Sequence, residues 1–304
     1  MATYTPTAEQ QEALDLFATG TSFAIEAGAG TGKTSTLVML AAATSRSGRY
    51  IAFNKAIVND AAEKFTPNVA CSTAHSLAFR AVGKRFAKRL NARRVPGHVI
   101  ARQLGIRSLE VTVGNAGRRD LAAGFLAGHV MRAITRFCQT ADPEPTSRHI
   151  AYIDGIDLPD AEGRRTFENN RRVTEYLPPF VRKAWADVTD VDGQLPYRHD
   201  HYLKLWQLSE PHIDADFILF DEVQDADPVM ADIVMRQAAR GVQVVLVGDS
   251  QQAIYEWRGA VNAFDLFGLD DTTFLTQSWR FGAAIAEQAN TVLAMIPGAL
   301  LRLT

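Results

Sequence analysis

Ala27-Gly28-Ala29-Gly30-Thr31-Gly32-Lys33-Thr34 sets a lysine and a threonine at the end of a loop holding three glycines. Ordering a glycine costs more backbone entropy than ordering any other residue, so such a loop must serve something that needs close backbone approach. Backbone N–H groups across Ala27–Thr34, those of Gly30 and Gly32 foremost, can cradle phosphate oxygens at the N-terminus of a following helix. Lys33 can reach the β and γ phosphates, and Thr34 can place its hydroxyl on Mg²⁺. The strict pattern opens on glycine, and Ala27 stands there instead. The alternative is a glycine turn that merely packs a helix on a strand. The apolar run Phe23-Ala24-Ile25 before the loop, and the helix formers from Lys33 to Ala43 after it, argue against that.

Hydrolysis of a bound nucleotide also needs an acid for the metal and a base for water. "ILFDEVQD" supplies both. Asp221 ends an apolar strand pattern, which brings its carboxylate to the C-terminal edge of a sheet, where open α/β sheets bind ligands. It is the expected Mg²⁺ partner, through water, because Mg²⁺ keeps much of its hydration shell. Glu222 is the expected general base. A lone Asp-Glu is usually a polar strand end; the phosphate loop is what raises this pair above that.

These groups require a scaffold, and the first eighty residues provide its pattern. Helix-like segments (Thr7–Phe17, Lys33–Ala43, Ala56–Phe65, His75–Val82) alternate with strand-like ones (Ser22–Ile25, Arg49–Phe53, Val69–Ser72). Such alternation predicts an α/β fold, a parallel sheet with helices on both faces. From residue 85 to about 206 clean strand signals disappear and the pattern reads as helices joined by polar loops. That stretch holds twenty Lys and Arg against fourteen Asp and Glu, a balance of +6, leaving −8 for the rest of the chain. The α/β pattern returns at Phe217–Phe220 and Val244–Val247.

The 304 residues are 47% hydrophobic and 22% charged, a globular composition long enough for more than one structural unit. Two cysteines, Cys71 and Cys138, are too few for a disulfide framework and point to a reducing compartment. "MATYTPTAEQ" has no basic segment followed by an apolar one, so it does not read as a secretory signal, and no apolar run suggests a membrane partner. The expected location is cytoplasmic, at the nucleoid if the source is bacterial.

Seven segments in order resemble the motifs of superfamily 1 DNA helicases of the UvrD/Rep type, especially their F-box-helicase-like branch. "TAEQQEAL" resembles the Q motif, "AGAGTGKT" motif I, "AFNKA" motif Ia and "STAHSLA" motif Ib. "DEVQDADP" resembles motif II, "LVGDSQQAIYEWRGA" motif III and "LTQSWRF" motif IV. The likeness covers residues 7–83 and about 195–304 and is weak between. It implies a RecA-like P-loop NTPase fold interrupted by a mainly helical insertion, with ATP and Mg²⁺ as cofactors. It implies that Gln10 holds the adenine edge, since an amide both donates and accepts, although Gln10 can instead close a capping box with Thr7. It implies that Gln252 senses the γ-phosphate, that Trp279 stacks on adenine or ribose, and that Arg280 reaches the γ-phosphate as a charge-stabilising finger. Gln224 and Asp225 are implied to link motif II to the DNA site.

Single-stranded nucleic acid is gripped by aromatic faces under bases and cations along the backbone. Tyr255, Trp257 and Arg258 lie together in "AIYEWRGA", with Trp257 the expected stacking residue and Tyr255 the structural one. Phe53, Asn54 and Lys55, with Thr73 and His75, would line the same path; Phe53 could equally be core, and His75 simply a helix-start residue. "GKRFAKRLNARR" gathers Lys84, Arg85, Lys88, Arg89, Arg93 and Arg94, which would hold phosphates or form a solvated helix face. His199 and Asp200 in "RHDHYLKLW" are open between a DNA contact and a helix start.

The expected organisation is a RecA-like domain at residues 1–84 and 207–276, a basic helical insertion at 85–206, and the start of a second RecA-like domain at 277–304. Nothing after Arg280 resembles motifs V and VI, so a separate polypeptide carrying the second domain is an expected partner. The implied function is that of an ATP-dependent DNA helicase motor, on single-stranded or 3′-tailed duplex DNA, with 3′→5′ polarity. The alternatives are a nucleotide-controlled single-stranded-DNA-binding module that does not unwind, and the motor part of a helicase–nuclease, for which no nuclease carboxylate cluster is evident.

Overall fold

A computed structural model describes residues 5–90, 92, 94–113, 117–157, 163, 167–252, 263–269, 271–295 and 302–304. The chain divides into two units, one formed by Met1–Leu77 with Glu210–Thr304, the other by Ala78–Ser209.

The first unit runs α1 (Ala8–Thr19), β1 (Phe23–Ala27), α2 (Lys33–Ala42), β2 (Gly48–Ala52), α3 (Lys55–Ala62), β3 (Val69–Thr73) and α4 (Ala74–Ala81), which carries the chain into the second unit. There follow α5 (Ala87–Leu90), α6 (Gly97–Leu104), β4 (Leu109–Thr112), β5 (Arg118–Leu121), α7 (Ala123–Phe137), α8 (Glu168–Tyr176), α9 (Pro178–Thr189) and α10 (His199–Leu208). Back in the first unit come β6 (Phe217–Asp221), α11 (Pro228–Ala239), β7 (Gln243–Gly248), α12 (Ala263–Phe267), β8 (Thr272–Leu275) and α13 (Ala283–Leu293).

Six strands among the described residues form one sheet, in the order β3-β2-β6-β7-β1-β8. Every pairing in it is parallel, as the alternating pattern predicts. The central strands β1, β6 and β7 are buried at every position, which is why they read as unbroken apolar runs rather than alternating ones. Phe17 of α1 meets Phe217 of β6 edge-on, ring centroids 5.1 Å apart, in a core shared with Phe23, Ile25, Leu37, Leu40 and Tyr50. Gly48 lets Phe217 lie against the start of β2, where a Cβ would overlap the ring.

The second unit is mainly helical, but it also holds an antiparallel hairpin, β4 with β5, registered Leu109↔Leu121 and Val111↔Arg119. The expectation of helices and loops alone missed it. Only Val111 and Leu121 of these eight residues are buried, so the hairpin has almost no apolar alternation to betray it. Buried polar groups of this unit serve the chain's own irregular segments. Asp157 accepts the N–H groups of Asn169 and Asn170, and Asn169 Nδ2 donates to the carbonyls of Thr112 and Ile156. Lys204, fully buried, donates to the carbonyls of Thr140 (2.8 Å) and Asp142 (2.5 Å) and to Gln207 Oε1 (2.8 Å), with its ammonium over the Phe137 ring.

The basic run needs correcting at one position. Arg89 is buried and donates to the carbonyls of Asp187, Val188, Asp190 and Leu195, closing the C-terminus of α9, and stacks over Tyr197. It therefore serves packing rather than phosphate. Lys84, Arg85, Lys88 and Arg94 are not buried in this way, and Arg93 lies outside the described residues.

Candidate active site

Strands β6, β7 and β1 are consecutive in the sheet, so the segments leaving their C-terminal ends converge: Asp221-Glu222 from β6, Asp249–Gln252 from β7 and the glycine loop from β1. Ala27 still belongs to β1, is buried, and pairs with Leu275. Extended backbone suits alanine, which explains the departure from the strict pattern. Left-handed backbone falls on Gly30 (φ 75°) and Gly32 (φ 88°), the latter being the N-cap of α2. Thr31 donates its hydroxyl to Gly28 O at 2.9 Å and tightens the turn. The loop faces a cavity of about 530 Å³ lined by Ala29–Ser35, Glu222, Gln252, Trp279 and Arg280.

Hydrogen bonds run from the loop across the three strand ends. Lys33 Nζ lies 3.4 Å from Glu222 Oε2, which also accepts Gln224 Nε2 at 2.7 Å. Gln224 Oε1 accepts Asp249 N at 3.1 Å, and Asp249 Oδ2 accepts Gln252 Nε2 at 2.6 Å. Glu222 holds left-handed backbone (φ 53°, ψ 47°), a conformation that costs a long side chain on the order of 1–3 kcal/mol and that concentrates at functional sites. Burial pushes the carboxyls of Glu26, Asp225 and Asp249 above the usual range, with Lys33 the cation pulling each of them back. Asp225 Oδ1 is buried without a hydrogen-bond partner.

Asp221 is buried, and both of its oxygens are held: Oδ1 by Glu222 N at 2.9 Å, Oδ2 by the Tyr50 hydroxyl at 2.6 Å. Burial, then the Glu222 charge, push its carboxyl up to about 6, against the pull of the Tyr50 hydrogen bond and Lys33. Its carboxylate does not line the cavity, so its reach to a cation there would pass through water. Among the described residues no cluster of three His, Cys, Asp or Glu could hold a metal. The hard oxygen donors Thr34 and Asp221 fit Mg²⁺ that brings the nucleotide's phosphates and water as its remaining ligands.

Gln10 is buried at the start of α1 and closes the capping box: Thr7 Oγ1 accepts Gln10 N, and Gln10 Oε1 accepts Thr7 N at 3.1 Å. Its Nε2 donates to Thr36 Oγ1 at 3.2 Å. One lone pair and one N–H of the amide remain for another partner. The segment after β8 lies on the glycine loop: Ser278 Oγ donates to Ala29 O at 3.0 Å, and Trp279 N to Gly30 O at 2.9 Å. A Cβ on Gly30 would lie 2.6 Å from Arg280 Cβ. Trp279 is 65% exposed, and it borders the cavity together with Arg280.

Three contributors escaped sequence reasoning. Tyr50 sits inside an ordinary apolar strand and gives no signal. Glu26 accepts both Ser250 N (2.8 Å) and Ser250 Oγ (2.6 Å), tying β1 to the segment after β7; an acid inside a buried strand was the available clue. Glu9 accepts Thr276 N at 2.9 Å and Thr276 Oγ1 at 2.5 Å, anchoring the segment that leads to Trp279.

The nucleic-acid candidates occupy the ends of the neighbouring strands β2 and β3. Phe53 follows β2 and is 37% exposed, so it is not a core residue. Asn54 is the N-cap of α3, its Oδ1 accepting Ala56 N at 2.8 Å, and Lys55 is exposed. Thr73 is buried and caps α4, accepting Ser76 N at 3.0 Å; His75 is partly exposed in the first turn of that helix. Tyr255, Trp257 and Arg258 lie outside the described residues. In the second unit His199 opens α10 and pairs with Tyr202 through Nδ1 at 2.9 Å, while Asp200 stands in the first turn.

A phosphate-loop sheet with an acid pair two strands away, at the end of β6, defines a P-loop nucleotide-binding unit. The chain belongs to the UvrD/REP helicase family: residues 7–266 match the model of that family's N-terminal domain. It is 34% identical over 289 residues to F-box DNA helicase protein 1 of Schizosaccharomyces pombe, an alignment covering 89% of this chain and 30% of that protein. It is 35% identical over 284 residues to F-box DNA helicase 1 of Gallus gallus, covering 90% and 26%. DNA helicase II of Haemophilus influenzae is 37% identical over 138 residues, covering 41% and 19%. The chain thus spans less than a third of the length of these relatives. Among the described residues no helix is long and apolar enough to cross a membrane.

Proposed function

We propose that this chain is the ATP-hydrolysing motor portion of a DNA helicase. The observation that carries the reading is the connected set Lys33–Glu222–Gln224–Asp249–Gln252, of which Lys33, Glu222 and Gln252 line the glycine-loop cavity. The loop's N–H groups and Lys33 bind and orient the phosphates, with Thr34 and Asp221 holding Mg²⁺, which when bound neutralises phosphate charge. Glu222 takes the proton of the attacking water, its carboxylate aimed by Gln224 and Lys33. Gln252 and Arg280 face the γ-phosphate end, Gln10 takes the adenine edge with its remaining donor and acceptor, and Trp279 stacks on adenine or ribose.

The DNA side of the reading is supported by the adjacent N-termini of α3 and α4, which present backbone N–H groups at one edge of the sheet beside Lys55 and the exposed Phe53. Helix N-termini attract phosphate, and an aromatic face takes a base. Trp257 and Arg258 complete this single-strand path in the proposal, and 3′→5′ movement follows from the family resemblance alone. The second unit is read as a basic insertion in the motor. Residues 277–304 are read as the opening of a second RecA-like lobe, whose remainder would come from further chain or a separate polypeptide.

The test is binding of a fluorescent ATP analogue with Mg²⁺, followed by ATP turnover with and without oligo-dT, and displacement of a strand from a 3′-tailed duplex. Mg²⁺-dependent binding and DNA-stimulated turnover are expected. The isolated chain is expected to turn over slowly and to unwind nothing, since an arginine finger contributes its factor of about 10³–10⁵ only when held firmly against the γ-phosphate. Absence of nucleotide binding overturns the proposal; DNA binding gated by nucleotide without any turnover favours the non-hydrolysing module instead.

A further inference from the structure

We propose that Tyr50 is the positioning residue for the metal carboxylate: its phenol fixes the orientation of Asp221, the acid that would hold Mg²⁺ through water. The inference rests on the nucleotide reading of the cavity. Strands β2 and β6 pair in parallel with Tyr50 opposite Leu219. Side chains alternate along a strand, so Leu219 and Asp221 share Tyr50's face, and Asp221 is the diagonal neighbour that a long side chain can reach. The Tyr50 hydroxyl donates to Asp221 Oδ2 at 2.6 Å, while Glu222 N holds Oδ1 at 2.9 Å. The carboxylate is therefore clamped at both oxygens.

Tyr50 itself cannot swing. It is fully buried, with its ring tilted on Phe65 at a centroid distance of 5.0 Å. The phenol donates and the carboxylate accepts, which leaves Asp221 Oδ2 held by a neutral partner. A buried tyrosine needs some partner for its hydroxyl. Here the partner is the acid at the sheet's binding edge, and the hydrogen bond plays the part that outer partners of metal-ligating carboxylates play generally.

The experiment titrates Mg²⁺ against a fixed concentration of fluorescent ATP analogue and reads binding by anisotropy, for the whole chain and for Tyr50→Phe, Asp221→Asn and the double variant. Far-UV circular dichroism establishes that each variant is folded. Tyr50→Phe keeps the ring and removes only the donor. It is expected to raise the half-saturating Mg²⁺ concentration about 10–100-fold while leaving binding in EDTA unchanged. Asp221→Asn is expected to give a similar shift, and the double variant to add nothing, since both remove one interaction. A parent whose nucleotide binding ignores Mg²⁺ brings down this inference together with the nucleotide–metal reading beneath it. A parent that responds to Mg²⁺, beside a Tyr50→Phe variant with the parental midpoint or shifts that add in the double variant, overturns the role of Tyr50 alone.

Discussion

In the sheet-containing unit, carboxylates pushed up by burial crowd one lysine beside a cavity; in the helical unit, the buried cations Arg89 and Lys204 are taken up chiefly by backbone carbonyls. Glu26, Asp221, Asp225 and Asp249 are pushed upward by burial, and each feels Lys33. Arg89 and Lys204 are also buried, but carbonyl oxygens surround them. Burial of charge is therefore no sign of a site by itself. What marks a site is charge left facing open space, with a crowd of like-charged neighbours that only a bound cation would relieve.

Substitutions at Lys33 and Lys204 should separate these roles most sharply. Lys33→Ala is expected to weaken binding of an ATP analogue by about 2–5 kcal/mol, the usual loss for deleting one member of a desolvated charge pair, while leaving the melting temperature within a few degrees of the parent. A mutant that binds nucleotide as the parent does would remove the phosphate-loop assignment. Lys204→Met should do the reverse. It leaves Thr140 O, Asp142 O and Gln207 Oε1 without the ammonium, at about 2–4 kcal/mol of stability, read by urea unfolding followed through Trp206. Nucleotide affinity of the folded fraction should not move.

Acid distinguishes the units next. His129 and His201 of the helical unit are pushed down to about 4, chiefly by burial, with Arg132 and Arg136 adding to it for His129 and Arg198 and Arg89 for His201. His149 is lowered for the same first reason. An imidazole whose folded value lies below its unfolded value near 6.5 contributes full stability above that pH and loses it as pH falls toward 4. The cost is on the order of 1–3 kcal/mol for His129 and for His201, and the urea midpoint seen by Trp206 should drop over that window. The raised carboxyl of Asp221 works in the opposite sense in metal-free protein: its contribution is present at low pH and is lost as pH rises through about 6. Replacing His201 with Gln should flatten part of the acid loss; an unchanged slope would mean the imidazole is not held neutral.

The smallest effect expected lies on the surface. Lys84, Arg85 and Lys88 changed together to Ala should lower oligo-dT affinity modestly and make the salt slope shallower by about 0.7 for each phosphate they neutralise, whereas Arg89→Ala should lower stability instead. Equal salt slopes for parent and triple variant would make that run a solvated helix face.

How much of this was legible in the sequence follows from what each feature depends on. The parallel sheet was legible because β1, β6 and β7 are buried on both faces and read as apolar runs bounded by turns. The loop, Lys33, Asp221 and Glu222 were legible because their chemistry demands fixed spacing. The β4–β5 hairpin was not, with two buried residues in eight. Arg89 was misread because a basic run does not reveal which member turns inward. Tyr50, Glu9 and Ser250 were invisible because their roles come from contacts between segments far apart in the chain: Tyr50 meets Asp221 across 171 positions and Glu9 meets Thr276 across 267.

Single-turnover ATP hydrolysis by the parent chain and by Glu222→Gln, each saturated with nucleotide and measured with and without oligo-dT, bears most directly on the central claim that Glu222 activates water over the glycine loop. The expected result is equal nucleotide affinity, slow but DNA-stimulated cleavage by the parent, and a rate lower by about 10²–10⁴-fold in the variant, the usual contribution of a general base. Parental cleavage by a Glu222→Gln protein that binds nucleotide normally would contradict it.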